Sequence, residues 1–460
     1  MKGFHRFFYF VSGIVIFFLA LSSNVSADPE KNIKAGDRAS ELVTAYFVAI
    51  PKILTLEDCL DLAVEHNRSV LTSKFKTDAA VAHGKQVILS QRPTAALTVT
   101  DTRLGEVSAQ TVGTLQDSVR LTLTENLSPF GRYHSQRLAA RATINAAKAE
   151  ERRAAVDTCF NVTRAFYDLL LAEEQIRVAS ASVDQLQKHR DHTDQLVKAG
   201  TAPRFDLLRA EVQLSSARPT LIKAQHLRST ALADLLHLIA LDPAAEPVAV
   251  GSFPVSLADL PRNEEQAVLL ASKERPDLAS AMASEEVARR QITLSRQALQ
   301  PVVQVTGMTE QARGSRTPIS IYRDNWSVIA GLVFPVFDSG FSRAQTREAQ
   351  AGLSQSVINT ENILSALRVD IRKALSALSE AEEVLASQKK NVEQAEEALA
   401  IAQTAYGTGA NTALDVLDAE LALTQAKTLW FQAMHDRVVA SAQLEHSLGI
   451  LPVQFRVQKH

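Results

Sequence analysis

Cysteine is scarce in this sequence, because only Cys59 and Cys159 occur among 460 residues. Two cysteines are too few for a disulfide scaffold, and nothing around them has the spacing of a zinc site. Both lie within helical patterns and far apart along the chain, so we predict two buried thiols. A bridge between them is the alternative, since an exported chain would meet an oxidising compartment.

Glycine and proline are sparse as well, with 17 and 15 residues. Ala, Leu, Gln, Glu and Arg crowd the middle and the end of the chain instead, and these residues favour helix. A mainly α protein with a small β part is therefore predicted.

Charge of one sign is also lacking, because the formal net charge is only −2. This balance gives no reason to expect nucleic acid as a partner.

Long hydrophobic runs are missing after the N-terminus. The start is basic at Lys2 and Arg6, residues 7–21 are apolar, and small residues end at Ala27. This pattern predicts a signal peptide over residues 1–27. A membrane anchor is the alternative, although the run is short, because a helix needs about 20 apolar residues to span a bilayer. We expect an exported mature chain without a transmembrane helix.

The chain repeats itself at an offset of 209 residues. Residues 200–211 align with residues 409–420, and Gly131 aligns with Gly340. Each half has the same predicted order: a short helix, a longer helix, two strand-like segments, a very long helix, a turn and another long helix. We therefore divide the chain into a signal peptide (1–27), an N-terminal extension (28–52), a first repeat (53–241) with a hairpin at 94–125, a linker (242–261), a second repeat (262–451) with a hairpin at 301–334, and a C-terminal tail (452–460).

The predicted helices are unusually long. Residues 132–199 contain neither glycine nor proline, and the same holds for residues 353–406. About 65 helical residues make a rod of roughly 100 Å, which must lie along neighbouring helices because it cannot form a core alone. A soluble coiled-coil spacer would show the same pattern. Pro219 falls inside the long helix that is predicted after the turn in the first half, and it predicts a kink there.

Four segments alternate apolar and polar side chains, and they lie near residues 94–103, 115–125, 301–310 and 326–334. Each is about ten residues long, which suits a tilted strand that crosses a bilayer with its apolar face toward lipid. An ordinary soluble hairpin is the alternative for each segment taken singly. Four strands cannot close a barrel. A membrane barrel would therefore require several copies of the chain.

In this order, these features resemble the TolC-type outer-membrane efflux family from about residue 54 to residue 451. The resemblance rests on the opening Leu-Thr-Leu-Glu-Asp-Cys-Leu at 54–60, the 209-residue duplication, the two glycine turns that begin at Gly200 and Gly409 and each lead to an aspartate, and the run Phe-Pro-Val-Phe-Asp-Ser-Gly at 334–340. It implies a homotrimer that shares a twelve-stranded barrel in the outer-membrane lipid and a twelve-helix tunnel through the periplasm.

The resemblance also implies a function and partners. The chain would be the passive exit duct of an efflux or type I secretion system for small molecules, metal ions or proteins. A periplasmic adaptor (membrane fusion protein) and an inner-membrane transporter would open its inner end. No cofactor is implied.

The resemblance places a gate at the second glycine turn. By position, Asp415 and Asp418 match aspartates that line the tip constriction of well-known members, and Tyr406 and Asp206 match a latch between neighbouring helices. Asn411 departs from the pattern, because an arginine stands there in those members. Phe205 departs as well, because it replaces a small polar residue. Both departures imply a weaker latch.

The residues alone support part of this assignment. Asp415 and Asp418 are three apart and share a helix face. In a trimer they would form two rings of carboxylates, which favour cations at a narrow point. The alternative is that Asp415 and Asp206 only stabilise helix N-termini through the helix dipole.

Two other classes of function compete with the channel. An enzyme is disfavoured, because the sequence has no phosphate-binding glycine loop, nucleophile elbow or cluster of metal ligands. His189 and His192 share a helix face but fit a solvated pair better than a metal site. A soluble periplasmic adaptor or spacer is the second alternative, although an adaptor would carry glycine-rich β domains that are not visible.

Overall fold

The computed structural model describes residues 53–103, 115–127, 131–242, 246–254, 260–316, 319–408, 410 and 412–451. The expected signal peptide, N-terminal extension and C-terminal tail lie outside the described residues, as do Gly409 and Asn411. The helices are α1 (Leu56–His66), α2 (Arg68–Leu89), α3 (Arg132–Lys198), α4 (Arg204–Leu238), α5 (Glu264–Glu274), α6 (Pro276–Arg296), α7 (Phe341–Gly407) and α8 (Ala413–Leu448). The strands are β1 (Ile53–Leu54), β2 (Thr94–Arg103), β3 (Leu115–Leu127), β4 (Val248–Ala249), β5 (Val302–Arg316) and β6 (Ile319–Val333).

The two halves have the same order of elements. Helices α3 and α7 each contain 67 residues and begin 209 residues apart. Helices α4 and α8 also begin 209 residues apart. The mainly helical fold is confirmed, and the helix predicted over residues 132–199 ends within one residue of that range. The division into numbered domains stays a prediction.

Each very long helix follows a glycine in the left-handed region of backbone space. Gly131 has φ +82° before α3, and Gly340 has φ +88° before α7. Residues that have a Cβ atom rarely adopt this backbone conformation. Asp338 fixes the second start, because its carboxylate accepts hydrogen bonds from the backbone N–H groups of Gly340 at 3.0 Å and Ser342 at 2.8 Å. These turns redirect the chain from each hairpin into a long helix.

The four long helices form a layer in the order α4–α3–α8–α7. Helices α3 and α8 form its centre, and their contact joins the first repeat to the second. In the described part of the chain, α4 and α7 have no extensive contact with each other. They are the two edges of the layer. The shorter α2 packs on α3, whereas α6 packs on both α3 and α7.

The largest core lies where α1, the middle of α3, the end of α4 and the second half of α8 meet. Phe166, Leu169 and Leu235 are almost completely buried there. Cys59 and Cys159 belong to this core, and both are buried thiols as predicted. Burial, together with the neighbouring Asp58, raises the pKa of the Cys59 thiol to about 12. This thiol is therefore unreactive at physiological pH, since the thiolate is the nucleophile.

The strands β2, β3, β5 and β6 form one antiparallel sheet in that order. The first predicted strand, 94–103, matches β2, whereas β3 continues two residues beyond the predicted end at 125. The predicted bounds 301–310 and 326–334 were too short, because β5 and β6 have 15 residues each. Pairing continues to Arg316 opposite Ile319. The polar residues at this end of β5 and β6 do not alternate with apolar ones, so a hydropathy pattern misses them, but backbone pairing does not require alternation.

Two further features concern the helices and the linker. Helix α4 runs without interruption through Pro219, and a bend of its axis there stays a prediction. The linker contributes β4, which pairs with β1 in parallel, and the sequence did not predict this pair. Across the described ranges, no helix combines the length and the apolar character that a membrane span requires.

Candidate functional site

The four-stranded sheet has one apolar face and one polar face. Leu97, Leu121, Thr309 and Trp326 lie directly opposite one another across the strands. The next row, on the other face, joins Thr98, Arg120, Glu310 and Asn325. Because cross-strand partners share a face, the alternation predicted for single strands extends over the whole sheet. The apolar face also carries Val99, Val119, Leu123, Val303, Val328 and Leu332.

The apolar face is uncovered in the single chain. Trp326 is 80% exposed, Leu332 is 66% exposed and Leu121 is 47% exposed. A contiguous exposed apolar surface of this kind marks contact with lipid or with another protein. On the polar face, the guanidinium of Arg120 donates to the Glu310 carboxylate at 2.9 Å. The sheet therefore separates an apolar side from a charged side, as a membrane barrel wall must.

Both edges of the sheet are open. Within the described strands, β2 pairs only with β3, and β6 pairs only with β5. An open edge leaves backbone N–H and C=O groups without partners, and these groups cannot remain unpaired inside a bilayer. If the sheet crosses a bilayer, a further strand must therefore meet each edge.

The predicted gate residues Asp415 and Asp418 lie in the first two turns of α8. The Asp415 carboxylate accepts hydrogen bonds from the Thr412 backbone N–H at 2.8 Å and from the Thr412 hydroxyl at 2.7 Å. These bonds lower the pKa of Asp415. Asp415 thus stabilises the helix start, which is the role that the sequence left as an alternative. Both aspartates are exposed, and their role in a constriction stays a prediction.

The predicted latch residues are not brought together within one chain. Tyr406 lies in the last turn of α7 and Asp206 in the first turn of α4, and both are half-buried. Among the described residues, the structure shows no hydrogen bond between them. Because α4 and α7 are opposite edges of the layer, such a bond would have to join two subunits. The latch stays a prediction.

The contact between α3 and α8, which we call the α3–α8 seam, contains three polar contacts that the sequence did not predict. The Gln185 amide donates to Glu420 at 2.8 Å. Nε2 of His435 lies 2.8 Å from Asp168, and Nε2 of His446 lies 2.7 Å from Asp157. The two histidines are eleven residues apart on α8, and their partners are eleven apart on α3 in the opposite direction. This matched spacing identifies an antiparallel helix pair in register.

His435 is the most strongly held of these side chains. Its Nδ1 also lies 2.9 Å from Asp436, and its side chain is only 9% exposed. Burial alone would lower the pKa of His435, but its hydrogen bonds to the carboxylates of Asp168 and Asp436 outweigh burial and raise it. Arg164 is 3.9 Å from the Asp168 carboxylate. The histidine positions recur in the first repeat as His226 and His237, but the partner aspartates do not recur, so the repeat does not predict these contacts.

The other histidine pair shows no sign of a metal centre. His189 is half-buried and His192 is exposed. Burial lowers the pKa of His189, and the nearby His192 lowers it further. Across the residues with described placement, no group of three or more potential ligands is arranged to hold a metal ion.

Comparison with known proteins accounts for both repeats. The outer membrane efflux protein family matches residues 59–241 and again residues 268–450. The two matches begin 209 residues apart, which is also the offset between Gly131 and Gly340. The described helices α3 and α4 fall in the first match, and α7 and α8 fall in the second.

Similar individual proteins agree with this match. The probable outer membrane lipoprotein SilC of Salmonella typhimurium is 24% identical over 72% of this chain and 71% of its own length. The cation efflux system protein CusC of Escherichia coli K12 is 24% identical over 75% of each chain. The crystal structure of the Campylobacter jejuni outer membrane channel CmeC matches with a TM-score of 0.77 at 17% identity, over 86% of this chain and 85% of that one. Since the family covers both repeats, the chain belongs to the outer membrane efflux protein family and is a channel protein of the cell outer membrane.

Proposed function

We propose that three copies of this chain close into one duct, through which cargo leaves the periplasm passively. The observation that carries the proposal is that both layers of the chain end in open edges. The sheet ends in β2 and β6, and the helix layer ends in α4 and α7. In each layer one edge belongs to the first repeat and the other to the second.

Edges of this kind favour a ring. Contacts between two different surfaces of identical subunits form a closed ring when the rotation between them closes. With four strands per chain, three copies supply twelve strands, which is enough for a barrel. The same rotation would bring α4 of one subunit against α7 of the next. The apolar sheet face would then meet lipid, and the Arg120–Glu310 pair would line the interior.

We further propose that a periplasmic adaptor and an inner-membrane pump open the periplasmic end. Support comes from relatives that are named for export. They include the Pseudomonas aeruginosa alkaline protease secretion protein AprF and the pyoverdine export protein OpmQ of the same organism. These names and that of CusC cover different cargoes, so the family does not select one for this chain. The gate carboxylates Asp415 and Asp418 would favour cations in the narrow part of the duct.

The test is assembly followed by conductance. The protein is extracted from outer membranes in detergent, and its mass is measured by light scattering with the detergent subtracted. We expect the mass of three chains and discrete conductance steps after insertion into a planar lipid bilayer. A monomer or dimer in mild detergent, or a trimer that never conducts, would overturn the proposal.

A further inference from the structure

The Gln185–Glu420 contact crosses the α3–α8 seam between the two repeats. A shift of 209 residues maps α3 onto α7 and α8 onto α4. The same shift maps Gln185 onto Gln394, and Glu420 maps back onto Glu211. Both residue types are preserved by the repeat. Within one chain, however, Gln394 and Glu211 lie on opposite edges of the helix layer.

Both mapped residues are available for a contact outside the chain. Gln394 and Glu211 are exposed, and the described residues give them no hydrogen bond with each other. Their counterpart Glu420 is half-buried, and desolvation raises its pKa although the Gln185 amide opposes this. The difference arises because α3 covers α8, whereas nothing within the described chain covers the equivalent side of α4.

The apolar residues nearby show the same asymmetry. Leu417 on α8 is 5% exposed, whereas Leu208, at the equivalent position of α4, is 58% exposed. Val416 is 6% exposed, and its equivalent Leu207 is half-buried. The face of α4 thus has the side chains of a packed seam without the helix that packs on it. The helix that fits is the counterpart of α3, which is α7 of another copy.

We propose that Gln394 of one subunit donates a hydrogen bond to Glu211 of the next, so that the Gln185–Glu420 contact recurs between subunits. This inference rests on the ring proposed above, and it fixes the register in which α4 meets α7. The two residue numbers of the 185–420 pair and those of the 394–211 pair add to the same value. This is what two antiparallel helix pairs in equivalent register require. Gln–Glu contacts would then alternate within and between subunits around the tunnel wall.

The test is chemical cross-linking with a matched control inside the same molecule. Gln394→Cys with Glu211→Cys is compared with Gln185→Cys with Glu420→Cys, using one short bis-maleimide on the intact outer-membrane protein. The native cysteines are buried and shared by both variants. Because the 185–420 pair is in contact within the chain, it must close without an increase in mass. The 394–211 pair should yield dimers and trimers on a denaturing gel.

A register control sharpens the result. Lys390→Cys with Glu211→Cys moves one thiol by four residues, or about 6 Å along the helix. Its yield of cross-linked dimers should fall at least several-fold below that of the 394–211 pair. Equal or higher yield from this pair would overturn the proposed register.

The outcomes separate this inference from the proposed function. If detergent-solubilised protein is a trimer and the 185–420 pair closes, but the 394–211 pair gives no multimers, the contact is wrong and the ring stands. Closure of the 394–211 pair within a single chain would also contradict the contact. If the protein is a monomer, the ring itself fails, and this inference fails with it.

Discussion

Asp415 combines a structural contact with a predicted role in the gate. Its carboxylate holds the Thr412 backbone and hydroxyl at the start of α8. Replacement by alanine would therefore disturb the helix start as well as the charge. Asn keeps an oxygen that can accept from Thr412 and removes only the charge, so the pair Asp415→Asn and Asp418→Asn is the sharper variant.

We expect this double Asn variant to assemble normally and to lose cation selectivity and block by polyvalent cations. The physical reason is that crowded carboxylates attract cations at a constriction. The measurement is the reversal potential of single channels in a salt gradient.

Tyr406→Phe is the contrasting variant, because it removes one hydroxyl and should raise the open fraction with unchanged selectivity. A neutral hydrogen bond contributes only about 0.5–1.5 kcal/mol, so the shift should be partial. Wild-type selectivity in the double variant would place the constriction elsewhere.

His435 makes the stability of the α3–α8 seam dependent on pH. Its pKa is raised by Asp168 and Asp436, so the folded state binds the proton more tightly than the unfolded state does. This contribution is fully present below the ordinary histidine pKa of about 6.5 and is lost as pH rises through the raised pKa. We expect wild type to lose thermal stability relative to His435→Gln as pH rises from about 6.5 through the raised pKa of His435.

The matched control for that series is His226→Gln. His226 occupies the equivalent position in the first repeat, is exposed, and faces no counterpart of Asp168, since Ala377 stands at that mapped position. Its pH profile should follow wild type. If His435→Gln also follows wild type, the two carboxylates do not hold the imidazolium.

Among the secondary-structure elements, the strands give the clearest test of membrane insertion. Leu121 and Leu332 lie on the exposed apolar face of the sheet. An arginine on a lipid-facing strand costs about 2–4 kcal/mol near the bilayer midplane and less near its surface. We expect Leu121→Arg to reduce the yield of assembled protein in outer membranes, measured by fractionation and denaturing gels without heating. Thr122→Arg, on the polar face, is the control and should assemble. Equal assembly of both variants would show that these strands do not cross a bilayer.

The elements show how far sequence reasoning reached. Helices α3 and α7 were predictable because more than fifty consecutive residues lack glycine and proline. Strand β2 was predictable because its alternation is clean. The ends of β5 and β6 were not, since backbone pairing extends through polar residues whose pattern says nothing about strand. The histidine contacts of the α3–α8 seam were also missed, because they join residues 267 and 289 positions apart and depend on how the repeats pack.

For the whole molecule, the open faces of α4 and α7 predict that assembly and folding can be separated. Leu208 is exposed in the single chain, whereas its repeat equivalent Leu417 is buried between helices. Burying a leucine stabilises by about 1.5–3 kcal/mol. We expect Leu208→Arg to convert trimers into folded monomers, measured as mass in detergent with unchanged helical circular dichroism. Leu417→Arg should instead destabilise the chain itself. A trimer of wild-type stability for Leu208→Arg would show that this face of α4 is not a subunit contact.

The unequal distribution of histidine partners has a mechanical consequence. His435 and His446 each meet an aspartate within the chain, whereas the positions that His226 and His237 would meet on α7 of a neighbour are Ala377 and Ala366. The proposed ring would have two histidine–aspartate contacts at each of the three α3–α8 seams within subunits and none at the three contacts between subunits. Force applied at the inner end of the ring should therefore separate α4 of one subunit from α7 of the next before it separates α3 from α8. Each subunit would then move as a rigid body, and the opening at the inner end would widen as the three subunits separate.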